Sequence, residues 1–277
     1  MMNLLFAIDH RFVDQMLTTL TSVAENSKEA VEAVYILTKG ALAGKEAIQS
    51  LTANFAIDLH LINMEEADFS QAPVSKRYPE TIYYRLLAQD FLPDHLDRIL
   101  YLDADILCIN DLSELYHLDL ADHLYAAASH SRLTRLSDDF NRLRLQREDG
   151  GSYYNSGVLL MNLPALRAQV RADDIYRYIA SHYYQLFLPD QDVLNALYGH
   201  QVYALPDQIY NYDMRYQKTY ELISAGAWDD QWVIAHTALL HFCGKRKPWE
   251  AHASDKFALL YQHYWQRMHR HLSQESL

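Results

Sequence analysis

The stretch "RILYLDADILCI", residues 98–109, is an apolar run interrupted by two acids one residue apart, Asp103 and Asp105. The apolar residues read as one buried strand, the fourth of the chain, and charge is costly to place there. Three earlier segments have the same short apolar character: "NLLFAI" (3–8), "AVYIL" (33–37) and "FAIDLHLI" (55–62). Between them apolar residues recur at helical spacing, over residues 12–25, in a stretch reaching Leu51, and in "ETIYYRLLAQDFL" (80–92). Strand and helix in alternation predict a parallel α/β sheet with right-handed crossovers.

Beyond residue 110 the alternation loosens. "LYAAAS" (124–129) is strand-like, and "GGSYYNSGVLLMNL" (150–163) reads as a turn followed by a strand. Pro164 suits a helix start, with the helix running to about Ala180. "PDQDVLNALYG" (189–199) offers Pro189, a capping Asp190 and a terminal Gly199 around another helix. "QVYALP" (201–206) and "HTALLHFC" (236–243) are further strands, and residues 253–272 a long last helix. No repeat or flexible linker divides the 277 residues, so a single α/β domain with helices flanking its sheet is expected.

A formal net charge of -12 without any basic stripe argues against a polynucleotide partner. It leaves room for a phosphorylated small molecule, because a bound divalent cation inverts the local field. Cys108 and Cys243 match no metal or redox spacing and read as reduced, buried thiols of a cytoplasmic protein. The N-terminus reads as a first strand, not a signal peptide, and no stretch has the ~18 uncharged apolar residues of a membrane span.

In open α/β sheets, ligands sit outside the carboxyl ends of the strands. Asp103 and Asp105 fall at such an end, and residues i and i+2 of a strand project to one side, so both could address one Mg²⁺ or Mn²⁺. In "HFCGKRKPW" (241–249), His241 could offer an imidazole to the same cation, Gly244 a close backbone approach and Lys247 a charge for a phosphate. Asn155 and Ser156 precede a glycine and a buried strand, a placement suited to recognising hydroxyl groups.

Six segments, "FAID", "YYRL", "LYLDADIL", "YYNSGVLLMNL", "DQDVLN" and "HFCGKRKPW", occur in an order that resembles the retaining glycosyltransferases of family 8. That family contains bacterial lipopolysaccharide galactosyl- and glucosyltransferases and glycogenin. The resemblance covers roughly residues 3–250 and implies a single GT-A domain with a Rossmann-like, mixed, mainly parallel sheet. It implies a nucleotide-binding part over about 1–110, a sugar and acceptor part over about 111–250, and the C-terminal helix. Ala7 and Asp9 are expected at the uracil and ribose of a UDP-hexose, with Arg85 reaching the sugar or the metal-binding acids. Asp103, Ala104 and Asp105 with His241 are expected at Mn²⁺ (or Mg²⁺) and the diphosphate, completed by Gly244 and Lys247. Asn155, Asp190 and Gln191 are expected along the hexose, the last two as the catalytic pair.

The implied activity is metal-dependent transfer of glucose or galactose, with retention, to a saccharide, glycolipid or glycoprotein acceptor. Where members often carry an Asn after the first strand, this chain has "DHRF", a departure at His10 and Arg11. No extended basic tail of the kind some members use at membranes is expected, and the last helix, with His263, Trp265, Arg267, His269, Arg270 and His271, is the candidate for a peripheral membrane contact. The polar segment 131–151, with five arginines, is a candidate lid over the donor. Competing readings are a phosphohydrolase of the haloacid dehalogenase type, which also places Asp-x-Asp after a strand, and a UDP-sugar sensor or self-glycosylating protein. The sequence leaves the oligomeric state open.

Overall fold

The computed structural model describes residues 1–76, 78–129, 152–250 and 255–273. The candidate lid, residues 131–151, lies outside the described residues. Among these, a seven-stranded mixed sheet runs in the order β3-β2-β1-β4-β7-β6-β8. Its strands are β1 (Met2–Ala7), β2 (Val31–Thr38), β3 (Asp58–Asn63), β4 (Arg98–Leu102), β6 (Tyr125–Ala128), β7 (Val158–Asn162) and β8 (Val202–Leu205). β3, β2, β1 and β4 are parallel, while β7 runs antiparallel to both β4 and β6.

The sheet is covered on both faces, and the strands show it residue by residue. In β4, Leu100 and Leu102 join one core and Ile99 and Tyr101 the other. That is why β1, β2 and β4 read as continuous apolar runs and not as alternating ones. One face is covered by α1 (Val13–Asn26) and α2 (Lys45–Asn54), the other by α3 (Leu163–Gln169), α4 (Ala172–His182) and α5 (Pro189–Tyr198). The last helix, α6 (Lys256–Ser273), packs on α1 and α2. Its Arg267 and His271 are turned onto Glu25 of α1, at 2.6 Å and 2.9 Å, so these two are committed within the molecule.

Four local expectations are corrected. The fourth strand is two: β4 stops at Leu102, and Ile106–Cys108 forms β5 in a separate three-stranded sheet with β10 (Leu239–His241) and β9 (Tyr212–Asp213). Asp103 and Asp105 therefore flank a turn between two sheets and do not alternate along one strand. "ETIYYRLLAQDFL" is a 3-10 helix over Glu80–Leu86 and one α-turn over Ala88–Phe91, not one amphipathic helix. β3 begins at Asp58, because Phe55 closes α2 and Ala56 takes a left-handed φ of 54°. The helix expected from Pro164 breaks at Val170 and Arg171 into α3 and α4.

Candidate active site

The strand order reverses between β1 and β4, and the carboxyl ends of these two strands open on a cavity of about 800 Å³. Ala7 and Ile8 line it from β1, and Asp103, Ala104 and Asp105 from the turn after β4. The turn is held from beneath by α1. The buried Thr19 hydroxyl lies 2.7 Å from the Ile106 carbonyl and 3.1 Å from that of Ala104.

Each acid presents one oxygen to a common point. Asp103 commits Oδ1 to the Tyr101 hydroxyl at 2.7 Å and to Arg85 at 2.9 Å, leaving Oδ2 toward His241. Asp105 commits Oδ2 to the Lys247 ammonium at 2.6 Å, leaving Oδ1 only 3.2 Å from His241 Nε2. His241 arrives on β10, whose register places it opposite Ile106 in β5. One ligand atom from each of the three residues lies within 4.8 Å of the others. Two carboxylate oxygens and an imidazole suit a divalent cation such as Mn²⁺ or Mg²⁺.

Gly157 makes that convergence possible. Its carbonyl accepts from Asp103 N–H at 2.8 Å, extending the β4–β7 ladder by one residue. A Cβ at 157 would lie 2.4 Å from His241 Cε1 and 2.7 Å from Asp103 Oδ2. Such contacts are closer than real carbon atoms approach, so only glycine fits. His241 Nδ1 lies 2.8 Å from the buried Asn211 Oδ1, a partner that holds the ring with Nε2 facing the acids. The residues thus fit a cation by donor chemistry, by the space kept free and by ring orientation.

The neighbouring charges set the electrostatics of the site. Burial raises the Asp105 pKa, but His241 and Lys247 outweigh it and hold the carboxyl well below its ordinary range. Burial pulls His241 down, while Cys243 and Asp105 push it up by more, so the ring sits well above its usual value. Arg85 is 4% exposed and stays charged: burial opposes it, and Asp103 more than compensates. Its guanidinium lies over the Tyr101 ring and also donates to the Ser156 carbonyl.

The opposite wall comes from the N-terminus of α5 and the turn before β7. Asp190 and Gln191 both line the cavity, Asp190 accepting from the Ser156 hydroxyl at 2.7 Å with Arg85 Nε at 3.4 Å. Burial is the leading influence on Asp190 and raises its pKa despite Arg85. Asp190 is not the helix cap. The N-cap is Leu188, without a side-chain cap, and Asp192 within the helix instead accepts through Oδ2 from the N–H groups of Phe187 and Leu188 just ahead of α5. Gly199 closes the helix in right-handed conformation, so it does not act through glycine's left-handed freedom.

Asn155, Gly244 and Lys247 also line the cavity. Asp9 does not: its carboxylate is bound by Arg11, whose guanidinium does reach the cavity, so "DHRF" contributes Arg11 in place of its acid. Cys108 is buried with its thiol pushed up to about 12, whereas Cys243 is only partly buried and lines the cavity. Sequence reading missed Gly157, Tyr101, Asn211 and the cavity-lining Arg215, which is anchored on the buried Asp213. Of these only Gly157 had a signal, its place directly after Asn155 and Ser156.

A mixed, mainly parallel sheet with an acidic turn and a histidine converging at its carboxyl edge is the arrangement of a GT-A glycosyltransferase. The chain belongs to glycosyl transferase family 8, whose family model matches residues 3–253. The lipopolysaccharide 1,2-glucosyltransferase of Escherichia coli is 30% identical over 261 residues, covering 89% of this chain and 73% of that protein. The lipopolysaccharide 1,3-galactosyltransferase of Salmonella typhimurium is 25% identical, covering 90% of this chain and 73% of its own. The crystal structure of the galactosyltransferase LgtC with donor and acceptor sugar analogues matches in fold, with a TM-score of 0.78 at 24% identity over 96% of both chains. Family membership removes the phosphohydrolase reading.

Proposed function

We propose that the protein transfers glucose or galactose from a UDP-sugar, with retention of configuration, to a saccharide or glycoconjugate acceptor, using Mn²⁺ at Asp103, Asp105 and His241. The observation that carries this reading is the convergence of Asp103 Oδ2, Asp105 Oδ1 and His241 Nε2 in the lining of a large cavity, with Gly157 kept free of a Cβ. When bound, the cation would neutralise the diphosphate and make UDP an acceptable leaving group. Mg²⁺ fits the same donor set.

The chain's own residues divide the remaining work. Lys247 lies beside the acids and shares the charge of the diphosphate. Arg85 holds Asp103 and Asp190 in fixed relation, which orients the donor's reacting end between them. Ala7, Ile8 and Phe12 form the end of the cavity suited to a flat base. Asp190 is the carboxylate nearest to a nucleophile's role, yet its Oδ2 is already bound by Ser156 and Arg85. That supports same-face attack, in which the departing β-phosphate takes the acceptor proton.

For the acceptor, a glycolipid is the first class to test, since two of the named relatives act on lipopolysaccharide. Among the described residues no helix is long and apolar enough to cross a membrane. The free Cys108 and Cys243 suit a reducing cytoplasm, with any membrane contact peripheral. The test is UDP release from a panel of UDP-sugars with Mn²⁺, Mg²⁺ or EDTA. Metal-dependent turnover of UDP-glucose or UDP-galactose is expected, and no turnover of any donor with any acceptor would refute the reading. Intact mass after incubation with donor separates transfer from self-modification: no added hexose is expected.

A further inference from the structure

A chain of side-chain amides runs from the cation site to the far wall of the cavity, and one backbone group sets its polarity. Gly157 N–H donates to Asn155 Oδ1 at 2.9 Å. A peptide N–H can only donate, so the Asn155 atom facing it must be the oxygen. The same oxygen receives Asn211 Nδ2 at 2.8 Å, which turns Asn211 Oδ1 toward His241 Nδ1, also at 2.8 Å. Nδ1 must then carry a hydrogen, and Nε2 is the nitrogen that faces Asp103 and Asp105. In the other direction Asn155 Nδ2 donates to Gln191 Oε1 at 3.1 Å, and Ser156 N–H points at the same oxygen from 3.4 Å. With Oε1 occupied on the protein side, the NH₂ of Gln191 is the end left for the cavity.

We propose that Asn211 is a positioning residue that fixes His241 as a ligand through Nε2 and, by donating to the same Asn155 oxygen that the Gly157 N–H orients, holds Asn155 where its NH₂ turns the Gln191 amide to donate hydrogen bonds to the donor sugar. The inference rests on the glycosyltransferase reading above. Asn211 is fully buried and does not line the cavity, so it acts only through its two neighbours. Reversing any member of the chain sets two donors or two acceptors face to face, beginning with an NH₂ of Asn155 against the Gly157 N–H. A consequence for the chemistry is that the carbonyl oxygen of Gln191 is withheld from the anomeric carbon. Gln191 is a hydrogen-bond donor in this protein and not a nucleophile.

The two halves of the relay can be separated by N211D. An aspartate still accepts from His241 Nδ1–H but sets a carboxylate oxygen against Asn155 Oδ1, two acceptors face to face, which pushes Asn155 off the position that holds Gln191. N211L removes both contacts at similar volume. Mn²⁺ affinity is measured by calorimetry on the full chain, and kcat and KM by UDP release. N211D should bind Mn²⁺ within about threefold of wild type while kcat falls at least about tenfold. N211L should bind Mn²⁺ about 10–100-fold more weakly, the usual effect of losing the partner of a metal-ligating histidine. Equal loss of Mn²⁺ affinity in the two variants, wild-type kcat in N211D, or wild-type Mn²⁺ affinity in N211L would each overturn the proposal.

If the buried aspartate prevents folding, N155D makes the second cut one residue further along. It keeps the acceptor for Gly157 and Asn211 and removes the donor to Gln191, so Mn²⁺ affinity should hold while kcat falls; wild-type kcat, or loss of Mn²⁺ affinity, in that variant would overturn the proposal in the same way. Absence of turnover by wild type with every UDP-sugar would refute the glycosyltransferase reading. The calorimetric comparison of N211D with N211L would still decide the His241 half.

Discussion

Gly157→Ala is the smallest change that should destroy the cation site. The added Cβ would stand 2.4 Å from His241 Cε1, and ordinary contact begins at 3.4 Å, so about 1 Å of movement is required. Neither neighbour can yield it freely. His241 is 3% exposed in a strand paired on both sides, and Asp103 is held by Arg85 and Tyr101. Overpacking of this kind costs about 1–3 kcal/mol. Metal–ligand distances tolerate only about 0.2 Å, so a shift of that size removes at least one ligand. Mn²⁺ affinity measured by calorimetry should fall at least about 100-fold, and transfer should be lost with it. Gly244→Ala is the control, because its Cβ would meet Arg215 at an ordinary 3.4 Å and should leave Mn²⁺ affinity unchanged. Wild-type Mn²⁺ affinity in Gly157→Ala would show that the three ligand atoms do not meet as described.

Asp190→Asn should abolish transfer while gaining stability relative to wild type as pH rises. Burial raises the Asp190 pKa in the folded state, so the fold loses stability as pH climbs from the ordinary carboxylate range through that raised value. Melting curves from pH 4 to 8 check this, and a variant advantage that shrinks with rising pH would contradict it. Glu25→Gln should loosen α6 by about 1 kcal/mol, a modest figure because Arg267 is 43% exposed and solvent screens the pair. The Glu25 pKa is lowered: burial acts against this, and Arg267 and His271 outweigh it. Its contribution should be complete above the ordinary carboxylate range and vanish in acid, as urea titrations at pH 7 and pH 3 would show. Thr19→Val should cost about 1–2 kcal/mol by leaving the Ile106 carbonyl, the nearest acceptor of that hydroxyl, without its donor. It should also weaken Mn²⁺ binding, with Thr19→Ser restoring both in calorimetry and thermal melts.

Much of the fold is written in the sequence. β1, β2 and β4 lie between two helical layers, so their apolar runs are continuous, and the alternation with α1 and α2 carries the parallel half of the sheet directly. Asp103, Asp105 and His241 could be named because they close or follow apolar runs and because six segments in order resemble family 8; position alone did not separate them from a solvated turn and a core histidine. The break between β4 and β5 left no mark, because Leu102 and Ile106 are equally apolar and only the partner strands differ. Asn211 was invisible for a related reason. In "YNYD" it has no periodic or motif context, and its importance comes from Asn155 and His241, 56 and 30 residues away in sequence. The capping role expected of Asp190 is filled by no side chain, and it is Asp192 that reaches back to the N–H groups ahead of the helix, since both acids follow Pro189 closely and only the backbone path shows which one does so.

If Asp103, Asp105 and His241 hold a divalent cation against a nucleoside diphosphate, titration of UDP into the protein with Mn²⁺ and with EDTA, for wild type and Asp105→Asn, will show it. Cation and nucleotide that meet in one site must strengthen each other's binding by the same factor. The wild type should therefore bind UDP at least about tenfold more tightly with Mn²⁺ than with EDTA, and the variant should show no difference. Equal UDP affinity with Mn²⁺ and with EDTA in the wild type would contradict the account.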